Sequence, residues 1–110
     1  MKTQQEIEDY LLNFENVNKS YPFGEGLAVF KNGSDESSKI FALVEEGTNP
    51  LRIELKCDPL LAVKLREEYE TVLQSQHFSK KYWNEIILTG QLPDDELKSL
   101  FITAYNLAKD

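Results

Sequence analysis

Residues 51–69 read LRIELKCDPLLAVKLREEY, and two different periodicities meet inside that stretch. From Leu51 to Cys57 the pattern alternates, so Leu51, Ile53, Leu55 and Cys57 share one face of a strand. Arg52, Glu54 and Lys56 share the other. At Asp58-Pro59 the period changes. Asp is a good N-cap, and Pro at the first helical position lacks only an amide that would have no partner there. Leu61, Ala62, Leu65 and Tyr69 then form the buried side of a helix, with Glu67-Glu68 on its wet side. A half-buried strand followed by an amphipathic helix implies a sheet with helices on one face.

Working outward gives the remaining elements. Thr3-Gln4-Gln5-Glu6 fits a capping box, and Ile7, Tyr10, Leu11 and Phe14 continue it as an apolar helical stripe. The run NVNKSYPFGEG has turn chemistry throughout. Leu27 to Lys31 and Lys39 to Glu45 are strands joined by the polar loop NGSDESS. The second of these strands is apolar on both faces, as a fully covered central strand would be. Val72 to His77 reads as a short strand, and a turn capped by Ser79 leads into a strand from Trp83 to Leu88. A last helix starts near Pro93 with Asp94, Asp95 and Glu96 in its first turn. Its inner face is Leu97, Leu100, Phe101, Ala104 and Leu107.

The expected order is therefore α-β-β-β-α-β-β-α: an α+β two-layer sandwich, with a five-stranded antiparallel sheet and helices on one face. The other face is expected to stay partly open, with Arg52 and Lys56 pointing into it. At 110 residues, without internal repeats or linkers, one domain over 1–110 is expected.

Composition narrows the partners. No run is long enough to span a membrane, and MKTQQEIEDYLL lacks the apolar block of a signal peptide, so a cytoplasmic protein with no membrane partner is expected. Cys57 is the only cysteine, which excludes an intrachain disulfide. The net charge of −7 repels a phosphate backbone unless cations gather locally. Residues 39–66 carry five bases against four acids, whereas both flanking segments are acidic. An anion site would have to come from that middle segment and from the Lys80-Lys81 pair.

HFSKKYWNE, residues 77–85, holds the only histidine, the only tryptophan and that lysine pair. His77, Lys80, Lys81 and Trp83 offer two cations and a ring for phosphate contact and base stacking. In the competing account Trp83 is a core residue opening a strand, and the lysine stems cover the sheet edge. Arg52 and Lys56 extend the candidate cations, although Glu54 between them supplies neutralising charge. Lys31 and Lys39 flank the hairpin loop like the base of a wing, with Asp35 and Glu36 opposing phosphate at its tip. Cys57 stands just before a helix N-terminus, where a thiol can be activated, yet it falls on the buried face of its strand. One His and one Cys make no metal site, and Gly24-Glu25-Gly26 is too short for a phosphate loop. No catalytic set, metal or cofactor is expected.

The chain resembles the MmcQ/YjbR-like family of small bacterial proteins. Tyr21-Pro22-Phe23-Gly24, Leu55-Lys56-Cys57-Asp58-Pro59, His77-x-x-Lys80-x-x-Trp83-Asn84, Leu92-Pro93-Asp94 and Ala104-Tyr105 carry the resemblance, in order, over nearly the whole chain. It implies a secretion-chaperone-like fold, α-β(3)-α-β(2)-α, and a DNA-binding role through a double-wing arrangement. The expected function is a non-enzymatic binding module with weak, salt-sensitive DNA contacts at Arg52, Lys56, His77, Lys80, Lys81 and Trp83. The alternative is a protein-interaction, self-association or small-ligand module using the open sheet face.

Overall fold

The structure is a computed structural model that describes residues 3–33 and 38–109. Its elements are α1 (Gln4–Leu12), β1 (Val17–Ser20), β2 (Leu27–Asn32), β3 (Lys39–Glu45), β4 (Arg52–Lys56), α2 (Pro59–Glu68), β5 (Val72–Gln74), β6 (Trp83–Ile87) and α3 (Asp94–Leu107). One antiparallel sheet of six strands runs in the order β1-β2-β3-β4-β6-β5. The α+β architecture is as expected; the sheet has one strand more. Residues 34–37, and with them the Asp35-Glu36 loop tip, lie outside the described residues. Among the described residues no helix is long and apolar enough to cross a membrane.

The additional strand is β1, which sequence patterning assigns to a turn. Val17-Asn18-Lys19-Ser20 is short and polar, as an edge strand that resists further pairing should be. Its ladder to β2 runs from Val17↔Asn32 to Ser20↔Val29. The Asn18 amide donates to the Gly33 carbonyl at 2.8 Å, and Lys19 pairs with Glu8 of α1 at 2.5 Å. Tertiary pairing, not local propensity, makes this segment a strand.

The signals around residue 58 hold. The Asp58 carboxylate accepts from the Leu60 amide at 3.2 Å, and Pro59 opens α2. Thr3 likewise caps α1 by accepting from the Glu6 amide at 3.1 Å. One inner-face assignment fails, since Leu107 is 41% exposed, while Tyr69 caps α2 and packs half-buried against the core. His77 also falls outside β5, which ends at Gln74.

The helices lie on one side of the sheet. Ile7 and Leu11 of α1, Ala62 and Leu65 of α2, and Leu97, Leu100, Phe101 and Ala104 of α3 join Ala28, Phe30, Val44, Ile53, Leu55 and Ile86 of the strands in one core. A bulge opposite the Phe30/Lys31 step leaves Phe41 unpaired in the ladder. Its ring joins this core, edge-on to Tyr105 at 5.5 Å. Phe41, Ala42, Leu43 and Val44 of the central strand β3 are all fully buried.

The opposite face departs most from expectation. Val29, Leu43, Glu54 and Glu85 are fully buried, and Trp83 is only 7% exposed. The β5–β6 connection, residues 75–82, lies over this face and forms a strap.

Candidate functional site

Cross-strand pairing sets the site's frame. Leu43 stands opposite Glu54, Glu54 opposite Glu85, and Glu85 opposite Leu73, so one row of the strap-covered face places two glutamates side by side. A buried carboxylate needs charged or hydrogen-bonding partners, because burial alone strongly disfavours the ion. The strap supplies those of Glu54. The Ser75 hydroxyl and the His77 backbone amide, the latter at 3.2 Å, donate to Glu54 Oε1, and His77 Nδ1 meets Glu54 Oε2. Ser75 Oγ also accepts from the Phe78 amide at 3.1 Å, which fixes the strap's bend.

Glu85 is less well served. Its Oε2 accepts from Arg52 at 3.5 Å and from the Gln76 side-chain Nε2 at 3.4 Å, both long, while its buried Oε1 has no hydrogen-bond partner among the described residues. Burial pushes the Glu85 carboxyl above the usual carboxylate range. Arg52 opposes that rise, and the charges of Glu54 and Glu45 add to it. The folded state therefore favours the protonated form. Its stabilising contribution is full below the ordinary value near 4.5 and is lost as pH rises through the higher folded value. Glu85→Gln keeps the shape and removes the titration. Urea midpoints measured between about pH 5 and pH 8 should fall with rising pH in the wild type and more shallowly in Glu85→Gln, which should equal or exceed wild-type stability at pH 7. Parallel curves for the two proteins would show that Glu85 is not the group responsible.

Trp83 belongs to this structural layer. Phe78 stacks on its ring at 4.0 Å and 19°, and Phe23 meets Phe78 edge-on at 5.8 Å. The Tyr-Pro-Phe-Gly motif thus provides an aromatic clasp for the strap. Two of the six expected contact residues, His77 and Trp83, are absorbed into that fastening, and Arg52 is drawn to Glu85. The remaining three lie around one corner of the face. Lys56 pairs with Trp83 across β4 and β6, and the Cys57 amide donates to the Tyr82 carbonyl at 2.7 Å. Lys80 and Lys81 sit on a turn closed by the Tyr82 amide donating to the Ser79 carbonyl at 3.2 Å and by the Ser79 hydroxyl accepting from the Lys81 amide at 3.3 Å. Arg66 of α2 holds that turn from behind, donating to the Lys80 carbonyl at 3.2 Å and to Asn84 Oδ1 at 2.6 Å. Asn84 in turn donates to the Ala62 carbonyl at 3.1 Å. The exposed ring beside the lysines is Tyr82, 45% accessible, with Lys81 Nζ 5.5 Å from its centroid.

Cys57 is buried, and burial pushes its thiol up to about 11, so almost none is thiolate at neutral pH. Among the described residues no three His, Cys, Asp or Glu side chains gather in a way that would hold a metal ion. Pattern reading passed over Glu54 and Glu85. Glu54 looks like one member of an exposed charge ladder with Arg52 and Lys56. For Glu85 a signal existed, since a lone acid interrupts the apolar run WNEIIL.

The fold has relatives. The chain is 36% identical over 69 residues to the uncharacterized protein YjbR of Escherichia coli K12, a match covering 63% of this chain and 58% of that protein. The crystal structure of Deinococcus radiodurans protein DR2400, domain DUF419, superposes with a TM-score of 0.91 at 29% identity, over 97% of this chain and 78% of that one. A crystal structure of a Pseudomonas syringae protein gives 0.80 at 25% identity, over 97% and 99%. The YjbR family model matches residues 12–107, from the last residue of α1 to the end of α3, and the chain belongs to the YjbR family.

Proposed function

We propose that the chain is a non-enzymatic binding module whose partner is a single nucleic-acid strand, held at the corner formed by Lys56, Lys80, Lys81 and Tyr82. One observation carries this: a half-exposed aromatic ring stands beside the exposed Lys80 and Lys81 on a turn already fixed by Ser79 and Arg66, with half-buried Lys56 on the adjoining strand. Backbone phosphates need cations, and an unpaired base needs a ring on which to stack. A duplex offers no free base to Tyr82, so a single strand suits the corner better. The family-implied DNA role supports the partner class, and the net charge of −7 keeps the expected binding weak and local. The interaction-module alternative draws on an apolar open sheet face, and Val29 and Leu43 at its middle are fully buried, which removes its main support.

The test is an NMR amide-shift titration with a short single-stranded DNA and its matched duplex at about 50 and 200 mM salt. Shifts should cluster at Lys56, Lys80, Lys81 and Tyr82, be larger for the single strand, and fade at the higher salt. Lys80→Ala with Lys81→Ala should flatten the slope of log affinity against log salt by about 0.7 for each phosphate that the variant no longer neutralises. Flat spectra with both nucleic acids at the lower salt would sink the proposal.

A further inference from the structure

The strap carries the proposed binding corner, and its fastening to the sheet is ionic at a titratable residue. We infer that residues 75–82 form a pH-operated latch, in which protonated His77 on buried Glu54 holds the strap down and loss of that proton releases it. In setting how Lys80, Lys81 and Tyr82 are presented, the latch rests on the binding reading above; as a latch it stands without it.

The geometry carries the inference. Glu54 is fully buried and lies on the sheet, whereas the His77 side chain is 26% exposed and lies on a connection with no regular secondary structure. Protons therefore reach the histidine while its carboxylate partner stays dry. Histidine is the side chain whose charge ordinarily changes between about pH 5 and pH 8. A positive imidazole adds a charge–charge attraction to its hydrogen bond with the Glu54 carboxylate, and a neutral one does not.

The charged groups around this contact come from three strands and from the strap. From β4 come Glu54 and Arg52, from β6 Glu85, and from β3 Glu45. On the strap itself are Lys80 and Lys81. Arg52 is already drawn to Glu85. Once His77 is neutral, Glu54 keeps only the uncharged donors Ser75 Oγ and the His77 amide. Glu85 loses its proton over the same rising-pH direction, adding a second buried negative charge next to the first. Both titrations thus loosen the strap as pH rises. The Phe78–Trp83 stack and the Phe23 contact set a floor that keeps the segment near the sheet.

Amide hydrogen exchange reads the latch directly, because the His77 and Phe78 amides donate to Glu54 and Ser75 within the fastening. Protection factors, corrected for intrinsic exchange and referenced to Leu43, are measured from about pH 5.5 to pH 8. In the wild type, protection at His77 and Phe78 should fall by roughly tenfold or more, the effect of weakening one charge-assisted hydrogen bond. In His77→Gln and Glu54→Gln protection should be low, and only the shallower pH dependence contributed by Glu85 should remain. Emission of Trp83, the only tryptophan, gives a second readout of the same transition. Wild-type protection that does not change with pH, or an unchanged pH response in His77→Gln, would overturn the latch. Single-strand affinity measured at constant salt over the same range separates the two ideas. Weakening that tracks the exchange transition supports both, whereas a clear transition with no binding at any pH leaves the latch standing and removes the binding reading.

Discussion

Trp83→Ala is expected to destabilise the protein by about 3–5 kcal/mol, the cost of removing a large aromatic from a packed site. For a chain of this size that corresponds to a fall in Tm of roughly 10 °C or more. Trp83 is 7% exposed and lies beneath Phe78 at 4.0 Å, so truncation opens a void between sheet and strap and leaves Phe78 and Phe23 without a floor. Tyr82→Ala provides the contrast. Its ring is 45% exposed and meets Lys81 as its one ring contact among the described residues, so stability should stay within about 0.5 kcal/mol. Single-strand affinity should nevertheless fall by about 1–3 kcal/mol if this ring stacks a base. Thermal melts and oligonucleotide titrations of the two variants assign the adjacent rings to opposite jobs. A stable Trp83→Ala that no longer binds would reverse the assignment.

The same pair shows how far the sequence was legible. An aromatic at the start of a strand reads equally well as core or as platform, because alternation says which residues share a face and not what covers that face. Asp58-Pro59 and the Thr3 cap were readable because each signal is complete within a few residues. β1 was not, because Asn18 and Lys19 are poor strand formers that become a strand only through β2. Glu54 was misassigned for a related reason. Arg52, Glu54 and Lys56 do share the face opposite the helices, as the alternation requires, but the strap that buries Glu54 arrives from residues 75–82, more than twenty positions away. The binding corner was half visible: Lys80 and Lys81 stood out as a pair, while the pinning of their turn by Arg66 of α2 is wholly non-local.

The partners of Glu54 also explain why the face tolerates an acid next to Leu43 and a second glutamate. A partnerless glutamate between Leu43 and the β6 strand would be expelled or neutralised. The Ser75 and His77 bonds to Glu54, with the Phe78 amide on Ser75, turn that cost into a specification of where the strap sits. In this chain the strap's position is thus written jointly by the His77–Glu54 contact and an aromatic stack.

His77→Ala tests that joint specification quantitatively. Removing one partner of a fully buried pair costs about 3–5 kcal/mol. Here the His77 side chain is 26% exposed and Glu54 keeps its bonds from Ser75 Oγ and the backbone amide at position 77, so about 2 kcal/mol near pH 6 is expected. Near pH 8 the loss should be smaller if the latch inferred above has released. The decisive comparison is with His77→Ala/Glu54→Gln. Gln at position 54 still accepts from Ser75 and the backbone but carries no charge to strand, so the double variant should be more stable than His77→Ala alone. Urea unfolding of the four proteins in the cycle gives the coupling, which should reach about 1 kcal/mol or more at pH 6 and shrink at pH 8. If the two substitutions simply add, Glu54 does not depend on the charge of His77, and the strap is held by Phe78 on Trp83 instead.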